Sequence, residues 1–207
     1  MGSRKADRMS RRDLPCSLDR VIPAVATRGA MPHARSSLMC GIVGYVGPAE
    51  AAPILLDGLR RLEYRGYDSA GLALGNHGTL EIRKAVGRIQ NLAQLVIDEP
   101  VHGNRGISHT RWATHGAVTG ENAHPHTDQS GRIVLVHNGV IENYLKLCGE
   151  LVREGHVFHS ETDTEVLAHL IGKYAIQLGE PSADHLVEAV RLALREVHGT
   201  YGIAVMH

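Results

Sequence analysis

The chain has 207 residues, of which 43% are hydrophobic and 21% are charged, and these fractions are ordinary for one soluble domain with an appendage. The formal net charge is zero, so composition gives no argument for a nucleic-acid partner or an anionic membrane surface. No run approaches the roughly 20 apolar residues of a membrane-spanning helix. Three cysteines without paired spacing fit a reducing compartment. We therefore expect a cytoplasmic protein that binds neither nucleic acid nor membrane.

Residues 1–38 differ in composition from the rest of the chain. They carry eight basic residues against three acidic ones, without sustained helix or strand periodicity. The alternatives are a transit peptide, a twin-arginine signal at Arg11 and Arg12, and a start upstream of the true one at Met39. The apolar stretch behind the two arginines is short and contains proline, so we favour the third. We expect a basic, disordered extension and then one domain over residues 39–207 that is incomplete at its C-terminus.

Hydrophobic periodicity predicts the elements in chain order. Residues 41–46 form an apolar run typical of a strand, and the following helix has Leu55, Leu59 and Leu62 on one face. A strand–turn–strand is predicted around residues 75–78. Further strands are predicted at 106–109, 133–137 and 201–206, and amphipathic helices at 144–152, 166–174 and 186–194. Because strands and helices come in groups rather than in alternation, we predict an α+β fold with antiparallel sheets and helices packed outside them.

Cys40 lies immediately before the first predicted strand. A cysteine thiol is a good nucleophile only after a base has taken its proton. If Cys40 were the first residue, its own α-amine, with a pKa of about 7.7–8.0, could be that base. The alternative is a buried structural cysteine, since free cysteine is among the most buried residue types. This motif alone does not decide between them.

Two later segments carry charged residues that suit either substrate binding or structure. In the string HTRWATHG, Arg111 could bind a carboxylate through two parallel hydrogen bonds, and Trp112 could cover a small pocket. The alternative is a solvent-facing arginine and a core tryptophan. Further on, Thr162 and Glu165 form a capping box. Asp163 then either only supports the first helical turn or also holds an ammonium group.

Asn138 and Gly139 follow an apolar strand, and this pair is the strongest short signal for a type I′ hairpin turn. The alternative is that the Asn138 amide and the Gly139 N–H group both point at one developing oxyanion. Because the residues from Ile141 onward have a helical pattern, we predict a strand-to-helix corner, which is a suitable place for a catalytic group.

The chain has 14 histidines, and the sequence His124-Pro125-His126 raises the question of a metal site. Neither a Cys-x-x-Cys nor a His-Glu-x-x-His motif accompanies it. We therefore expect a rigid surface loop there, with no metal and no cofactor.

In combination these motifs are specific. The ordered strings CGIVG, RRLEYRGYDSAG, HTRWATHG, NAHPH, HNG and SETDTE closely resemble the glutaminase domain of the glutamine–fructose-6-phosphate aminotransferase family. The likeness runs through essentially all of residues 39–207. It implies an Ntn-hydrolase fold, in which two stacked, mostly antiparallel sheets lie between helical layers (αββα). It also implies hydrolysis of glutamine, without a cofactor, to supply ammonia for the amination of fructose 6-phosphate.

The resemblance implies a role for each matching residue. Cys40 would attack the glutamine side-chain amide with its α-amine as base, and Asn138 and Gly139 would form the oxyanion hole. The remaining roles would be α-carboxylate binding by Arg111, α-ammonium binding by Asp163, pocket walls from Thr114 and His115, ammonia exit past Trp112, and support of the nucleophile's loop by Arg65.

Two features depart from the family pattern. The family's nucleophile is the mature N-terminus, whereas here 39 residues precede Cys40, and an acylated nitrogen is not a base. The family also handles fructose 6-phosphate, and would form a homodimer, through synthase domains for which this chain has no counterpart. The competing hypotheses are a non-catalytic remnant with a blocked Cys40 and a metal-binding protein. The presence of all five of Cys40, Arg111, Asn138, Gly139 and Asp163 favours the enzyme.

Overall fold

Two antiparallel sheets lie at the centre of the computed structural model, which describes residues 40–76, 78–113, 116–179 and 182–207. The predicted extension over residues 1–38 lies outside this range. In chain order the elements are β1 (Gly41–Val46), α1 (Ala51–Leu62), a 3-10 turn (Glu63–Arg65), β2 (Ser69–Asn76), β3 (Thr79–Val86), α2 (Ile89–Asp98), β4 (Arg105–Arg111), β5 (His126–Thr127), β6 (Val134–Ile141), α3 (Tyr144–Arg153), α4 (Asp163–Leu178), α5 (Ala183–Glu196) and β7 (Gly199–Met206).

The strand order brings the start of β1 next to the end of β4. The first sheet has the order β1-β4-β2-β3 and the second has the order β5-β6-β7. In the antiparallel register, Gly41 lies opposite Thr110, and on the other side of β4 Ser69 lies opposite Arg111. The residues just before β1 and just after β4 are therefore neighbours at one end of the first sheet.

Alternating side chains place each sheet between its partner sheet and a layer of helices. Ala73 and Ile107 of the first sheet contact Val134 and Val136 of the second. The outer face of the first sheet packs on α1 and α2 through Leu55, Leu59, Leu72, Leu74, Ile89 and Leu92. The outer face of the second packs on α3, α4 and α5 through Leu135, Ile141, Leu147, Leu151, Leu167 and Ile171. The predicted αββα layering and antiparallel sheets are confirmed.

The elements predicted from periodicity are present, and three were missed. Helix α2 has buried residues at Ile89, Leu92 and Ala93, which is helical spacing. It has no capping side chain at Arg88, so the usual start signal is missing. Strand β5 has only two residues, which is too short for any alternation to be read, and the 3-10 turn has only three.

A hairpin turn at Asn138 is wrong, and the predicted strand-to-helix corner lies further along the chain, between the end of β6 at Ile141 and the start of α3 at Tyr144. Strand β6 continues through both residues of the pair, with Asn138 opposite Gly202 and Gly139 opposite Tyr201 on β7. Gly139 has a φ of 141°, and a Cβ atom there would lie 1.9 Å from the carbonyl oxygen of Thr200. The glycine therefore permits close approach of the neighbouring strand rather than a reversal of the chain.

The predicted surface loop at His124-Pro125-His126 is also corrected, because both histidines are buried, with 5% and 4% of their surface exposed. The ring of His124 stacks on that of His109 at a centroid distance of 4.2 Å. Burial lowers the pKa of all three imidazoles, to about 4 for His109. Within the described residues no group of side chains is arranged to hold a metal ion, and no helix is both long and apolar enough to cross a membrane.

We expect Gly71→Ala to destabilise the fold. A Cβ atom at position 71 would lie 2.2 Å from the carbonyl oxygen of His124. This oxygen belongs to the backbone, which cannot move aside as easily as the end of a flexible side chain. Overpacking of this kind costs about 1–3 kcal/mol, measurable by urea denaturation. Gly44→Ala is the matched control, because this strand glycine has no atom within 4 Å of the added carbon. Equal stability of the two variants would contradict the described contact.

We expect the free energy of unfolding to fall as the pH is lowered from 7 towards 5. His109, His124 and His126 have lowered folded pKa values, so below pH ~6.5 the unfolded chain binds protons that the folded protein does not. Each histidine contributes on the order of 1 kcal/mol per pH unit in that window, and the three contributions have the same sign and add. Denaturant titrations at several pH values measure the slope, and a flat profile would show that the folded histidines are protonated.

Candidate active site

Cys40 lies just before β1 and is half-buried. Its Sγ accepts a hydrogen bond from the Trp112 backbone N–H at 3.2 Å, and its S–H group faces the Trp112 carbonyl at 3.8 Å. The next residue is fixed too, since the Gly41 N–H donates to Thr110 Oγ1 at 2.9 Å. Cys40 carries a free thiol.

The Cys40 thiol is held in its neutral form. Burial raises its pKa, the Asp68 carboxylate adds to this, and the Trp112 N–H and the Arg111 charge act in the opposite direction. In the described part of the chain, Sγ is hydrogen-bonded to the backbone of Trp112, and no imidazole there bonds to it. Among the described residues, therefore, no histidine is placed to deprotonate the Cys40 thiol.

Asn138 places an amide beside Cys40. Its Nδ2 donates to the Cys40 carbonyl oxygen at 3.0 Å, and its Oδ1 lies 2.7 Å from Nε2 of His109. Asn138 belongs to the second sheet, whereas His109 lies on β4 of the first sheet and Cys40 directly precedes β1 of that sheet. The stacking of the sheets therefore brings the predicted nucleophile and the predicted oxyanion donor together, with Gly139 as the next residue along β6.

Arg111 ends β4 and is only 4% exposed, so the alternative of a solvent-facing arginine is wrong. Its Nη1 lies 3.7 Å from Asp68 Oδ1 and donates to the Ala117 carbonyl at 3.3 Å. Burial lowers the pKa of the guanidinium, and the carboxylates of Asp68 and Asp163 oppose that effect. A buried cation thus lies within electrostatic reach of both the nucleophile and the predicted ammonium-binding acid.

Asp163 is the first residue of α4 and is 5% exposed. Its Oδ2 accepts the Ile141 backbone N–H at 2.8 Å, which ties the helix start to the end of β6. The capping prediction is confirmed for Thr162, whose side chain accepts from the Glu165 N–H. The reciprocal half differs, because the Glu165 carboxylate accepts from the Ser160 N–H at 2.6 Å. Asp163 therefore connects α4 to β6 in addition to supporting the first turn of the helix.

The other predicted site residues have different outcomes. Trp112 is 40% exposed, so the alternative of a core tryptophan is wrong, and its part in ammonia exit stays a prediction. Arg65 donates to the Tyr64 hydroxyl at 3.1 Å and lies over that ring. Among the described residues, Arg65 thus contacts Tyr64 rather than the loop of Cys40. Thr114 and His115 lie outside the described residues.

Asp68 is a site residue that was not singled out from the sequence. Besides facing Arg111, it accepts hydrogen bonds from the Ser69 hydroxyl at 2.8 Å and from the Ala113 N–H. It therefore joins the start of β2 to the segment that follows β4. The available signal was an acidic residue directly in front of a predicted strand, within the string RRLEYRGYDSAG.

Asn122 and Glu161 form a second polar connection that was missed. Asn122 Oδ1 accepts the Glu161 N–H at 2.8 Å, and its Nδ2 donates to the Ala117 carbonyl at 3.0 Å. The Glu161 carboxylate accepts the Ala117 N–H at 3.2 Å. These bonds fix the loop after Gly116 to the residues before α4, so Arg111 and Asp163 keep a defined relative position.

The arrangement suits attack on the amide of a zwitterionic substrate. A thiol and an amide donor are adjacent, and a buried guanidinium and a buried carboxylate lie nearby. One cation and one anion are the groups that recognise an amino acid's α-carboxylate and α-ammonium. A donor fixed beside the nucleophile is what stabilises a tetrahedral oxyanion.

Comparison with known proteins agrees with this geometry. Residues 109–207 match the family described as glutamine amidotransferase domain. The chain is 56% identical over 169 residues to glutamine–fructose-6-phosphate aminotransferase (isomerizing) of Thermus thermophilus, a match that covers 82% of this chain and 27% of that protein. The protein of the same name from Thermococcus kodakarensis is 50% identical, with the same coverage. The chain thus spans about a quarter of the length of the curated relatives it matches.

Solved structures give the same assignment. The glutamine phosphoribosylpyrophosphate amidotransferase from B. subtilis, complexed with ADP and GMP, superposes with a TM-score of 0.66 at 31% identity, covering 80% of this chain and 34% of that one. A structure described as the allosteric regulatory enzyme of purine biosynthesis gives 0.64 at 31% identity, covering 81% and 35%. The chain therefore belongs to the glutamine amidotransferase domain family and has the Ntn-hydrolase fold of these amidotransferases.

Proposed function

We propose that residues 39–207 form a glutamine-hydrolysing domain in which Cys40 is the nucleophile, and that residues 1–38 are absent from the active form. The observation that carries this proposal is the contact of the Asn138 amide nitrogen with Cys40, 3.0 Å from its carbonyl oxygen. It supports a nucleophile and an oxyanion donor acting on the same carbonyl carbon of the substrate.

The base in this proposal is the α-amine of Cys40, released by removal of Met39. The thiol pKa is raised by burial, so the thiol does not ionise by itself near neutral pH. An α-amine has a pKa of about 7.7–8.0, which is close to working pH and suits general base catalysis. The nitrogen of a peptide bond has no such basicity, so the chain that retains Met39 is inactive.

The substrate is held by its charged end. Arg111 binds the α-carboxylate of glutamine and Asp163 binds the α-ammonium, with Thr114 and His115 along the pocket and Trp112 at the exit for ammonia. Both charged residues are nearly fully buried, which strengthens their interactions with substrate relative to those in water.

The reaction proceeds in two halves. The α-amine takes the thiol proton, and the thiolate attacks the side-chain amide carbon of glutamine to give a tetrahedral oxyanion that the Asn138 Nδ2–H and the Gly139 N–H stabilise. The intermediate collapses as the α-ammonium returns the proton to the leaving nitrogen, which releases ammonia and leaves a γ-glutamyl thioester on Cys40. Water, deprotonated by the same amine, then cleaves the thioester to glutamate and the free thiol.

We assign the ammonia to fructose 6-phosphate, because the curated relatives are named glutamine–fructose-6-phosphate aminotransferase. That transfer requires the synthase part of those proteins, which lies beyond the quarter of their length that this chain matches. A homodimer would form through that part. No metal or cofactor enters the glutaminase reaction, and a cytoplasmic location stays a prediction.

The first test compares two forms of the protein. We expect the chain that begins at Cys40 to hydrolyse glutamine to glutamate and ammonia, and the chain that retains residues 1–39 to be inactive, since only the first has a free α-amine. Intact mass spectrometry establishes where each chain begins, and a coupled glutamate assay measures the rate. Cys40→Ala in the shorter chain is the control for contaminating glutaminase. Equal activity of the two forms would contradict the proposed base.

The second test separates binding from chemistry. We expect Asn138→Ala to lower kcat about 100- to 1000-fold with little change in KM, because loss of one oxyanion donor has this effect. We expect Arg111→Lys to raise the KM for glutamine more than it lowers kcat, since lysine cannot make the paired hydrogen bonds. Steady-state kinetics measure both parameters, and the reverse pattern would overturn the assigned roles.

A further inference from the structure

His109 has no role in the mechanism above, yet it touches the oxyanion residue directly. It lies on β4, has 0% of its surface exposed, and its Nε2 is 2.7 Å from Asn138 Oδ1. The other end of the same amide donates to the Cys40 carbonyl at 3.0 Å. A chain of two hydrogen bonds thus runs from His109 through Asn138 to the nucleophile.

Which atom donates in each of these two hydrogen bonds follows from the atoms that can only accept. The Cys40 carbonyl can only accept, so the amide nitrogen of Asn138 faces Cys40 and the amide oxygen faces His109. Because that oxygen also only accepts, the proton of His109 must be on Nε2. Nδ1 is buried and has no partner with hydrogen-bond geometry. A weaker contact with the His137 backbone slightly favours the charged form of the ring, but burial outweighs it. His109 therefore donates its one N–H group to Asn138.

The ring of His109 is itself held in place. It stacks on His124 at 4.2 Å with an interplanar angle of 24°, and burial keeps the imidazole neutral, with its pKa lowered to about 4. A rotation of the Asn138 amide by half a turn would bring its oxygen against the Cys40 carbonyl and against the developing oxyanion. Without the bond from His109, the amide oxygen would also lose its hydrogen-bond partner in the protein.

We propose that His109 is a positioning residue that keeps the Asn138 amide nitrogen directed at Cys40, so that the oxyanion donor is already oriented when the thiolate attacks. Its effect is on the transition state, because a preorganised donor needs no reorientation during the reaction. The proposal rests on the proposed glutaminase function, since Asn138 has an oxyanion to stabilise only if Cys40 attacks a carbonyl. The alternative is that His109 serves only to fill the space between the sheets.

The test uses His109→Leu and His109→Gln in the chain that begins at Cys40. Leucine has no N–H group, whereas the glutamine amide can donate to Asn138. We expect His109→Leu to lower kcat about 100-fold with KM within about threefold of wild type, as for loss of an oxyanion donor. We expect His109→Gln to recover kcat to within about tenfold. Circular dichroism and melting temperature establish that each variant is folded at the assay temperature.

His126→Leu is the matched control for stability. It removes a buried histidine from the same layer, 4% exposed, whose ring bonds to Thr162 instead of Asn138. We expect it to lower the melting temperature without the selective loss of kcat. A loss of kcat as large as that of His109→Leu would overturn the proposal, because it would show that any disturbance of the layer has the same effect.

A double-mutant cycle with Asn138→Ala distinguishes positioning from packing. If His109 acts through Asn138, then His109→Leu has little further effect on kcat when Asn138 is already alanine. If His109 only fills space, the same substitution lowers kcat by a similar factor in both backgrounds. Full additivity, unchanged kcat in His109→Leu, or no recovery in His109→Gln would each overturn the proposal.

A readout independent of activity separates this proposal from the proposed function. Imidazole nitrogen chemical shifts in the wild-type protein report the tautomer of His109, and we expect the neutral Nε2–H form at pH 7. We also expect the Asn138 side-chain amide protons to exchange faster with water in His109→Leu. An Nδ1–H tautomer would overturn the inference even if glutamine is hydrolysed. A wild-type chain that begins at Cys40 and does not hydrolyse glutamine would overturn the proposed function, and with it this role for His109.

Discussion

One side-chain amide joins the two sheets at the candidate site, and the other groups there are defined relative to it. Asn138 on β6 donates to Cys40 and receives a hydrogen bond from His109 on β4. If these three residues were on flexible loops, fixing them in this geometry would cost conformational entropy. Here the three residues lie on or beside strands whose register is fixed by pairing, so the packing of one sheet on the other has already fixed the amide's position. The chemistry of the site thus depends on the same interface that forms the core.

This interface is unusual in holding polar side chains as well as apolar ones. Ala73, Ile107, Val134 and Val136 supply its apolar part, and buried histidines continue it towards the site. Burial of polar groups is costly unless they are hydrogen-bonded, and most of these rings do have partners, for example His126 with Thr162. The fold therefore carries a polar layer whose protonation would destabilise it. Such a layer is consistent with a site that needs directed N–H groups more than it needs maximal stability.

The nucleophile illustrates a second constraint, namely that its surroundings oppose the ionisation it needs. Burial and the Asp68 carboxylate raise the pKa of Cys40, and the Trp112 N–H, the backbone of Cys40 itself and the Arg111 charge act against them. In the described residues Sγ bonds to backbone alone, unlike a cysteine paired with histidine. A thiol in this environment depends on a base that comes close only during the reaction, and the α-amine of the same residue meets that requirement by its covalent position. Because the described surroundings of Sγ offer no side-chain base, the α-amine is the base that fits this site.

The sequence by itself determined most of the layers, because periods of two and 3.6 report directly which face of an element is buried. It also specified Cys40, Arg111, Asn138, Gly139 and Asp163 through short strings of fixed order.

Only the tertiary structure decided how these residues are used. The Asn-Gly pair has the local signature of a turn, yet pairing with β7 keeps it within a strand, and the His-Pro-His segment has a polar composition but is buried against the first sheet. Likewise the parts of Asp68 and His109 depend on neighbours 45 and 29 positions away in the chain. Local pattern specifies which residues form an element, but long-range packing decides which polar atoms meet, because those contacts join residues that no local period relates.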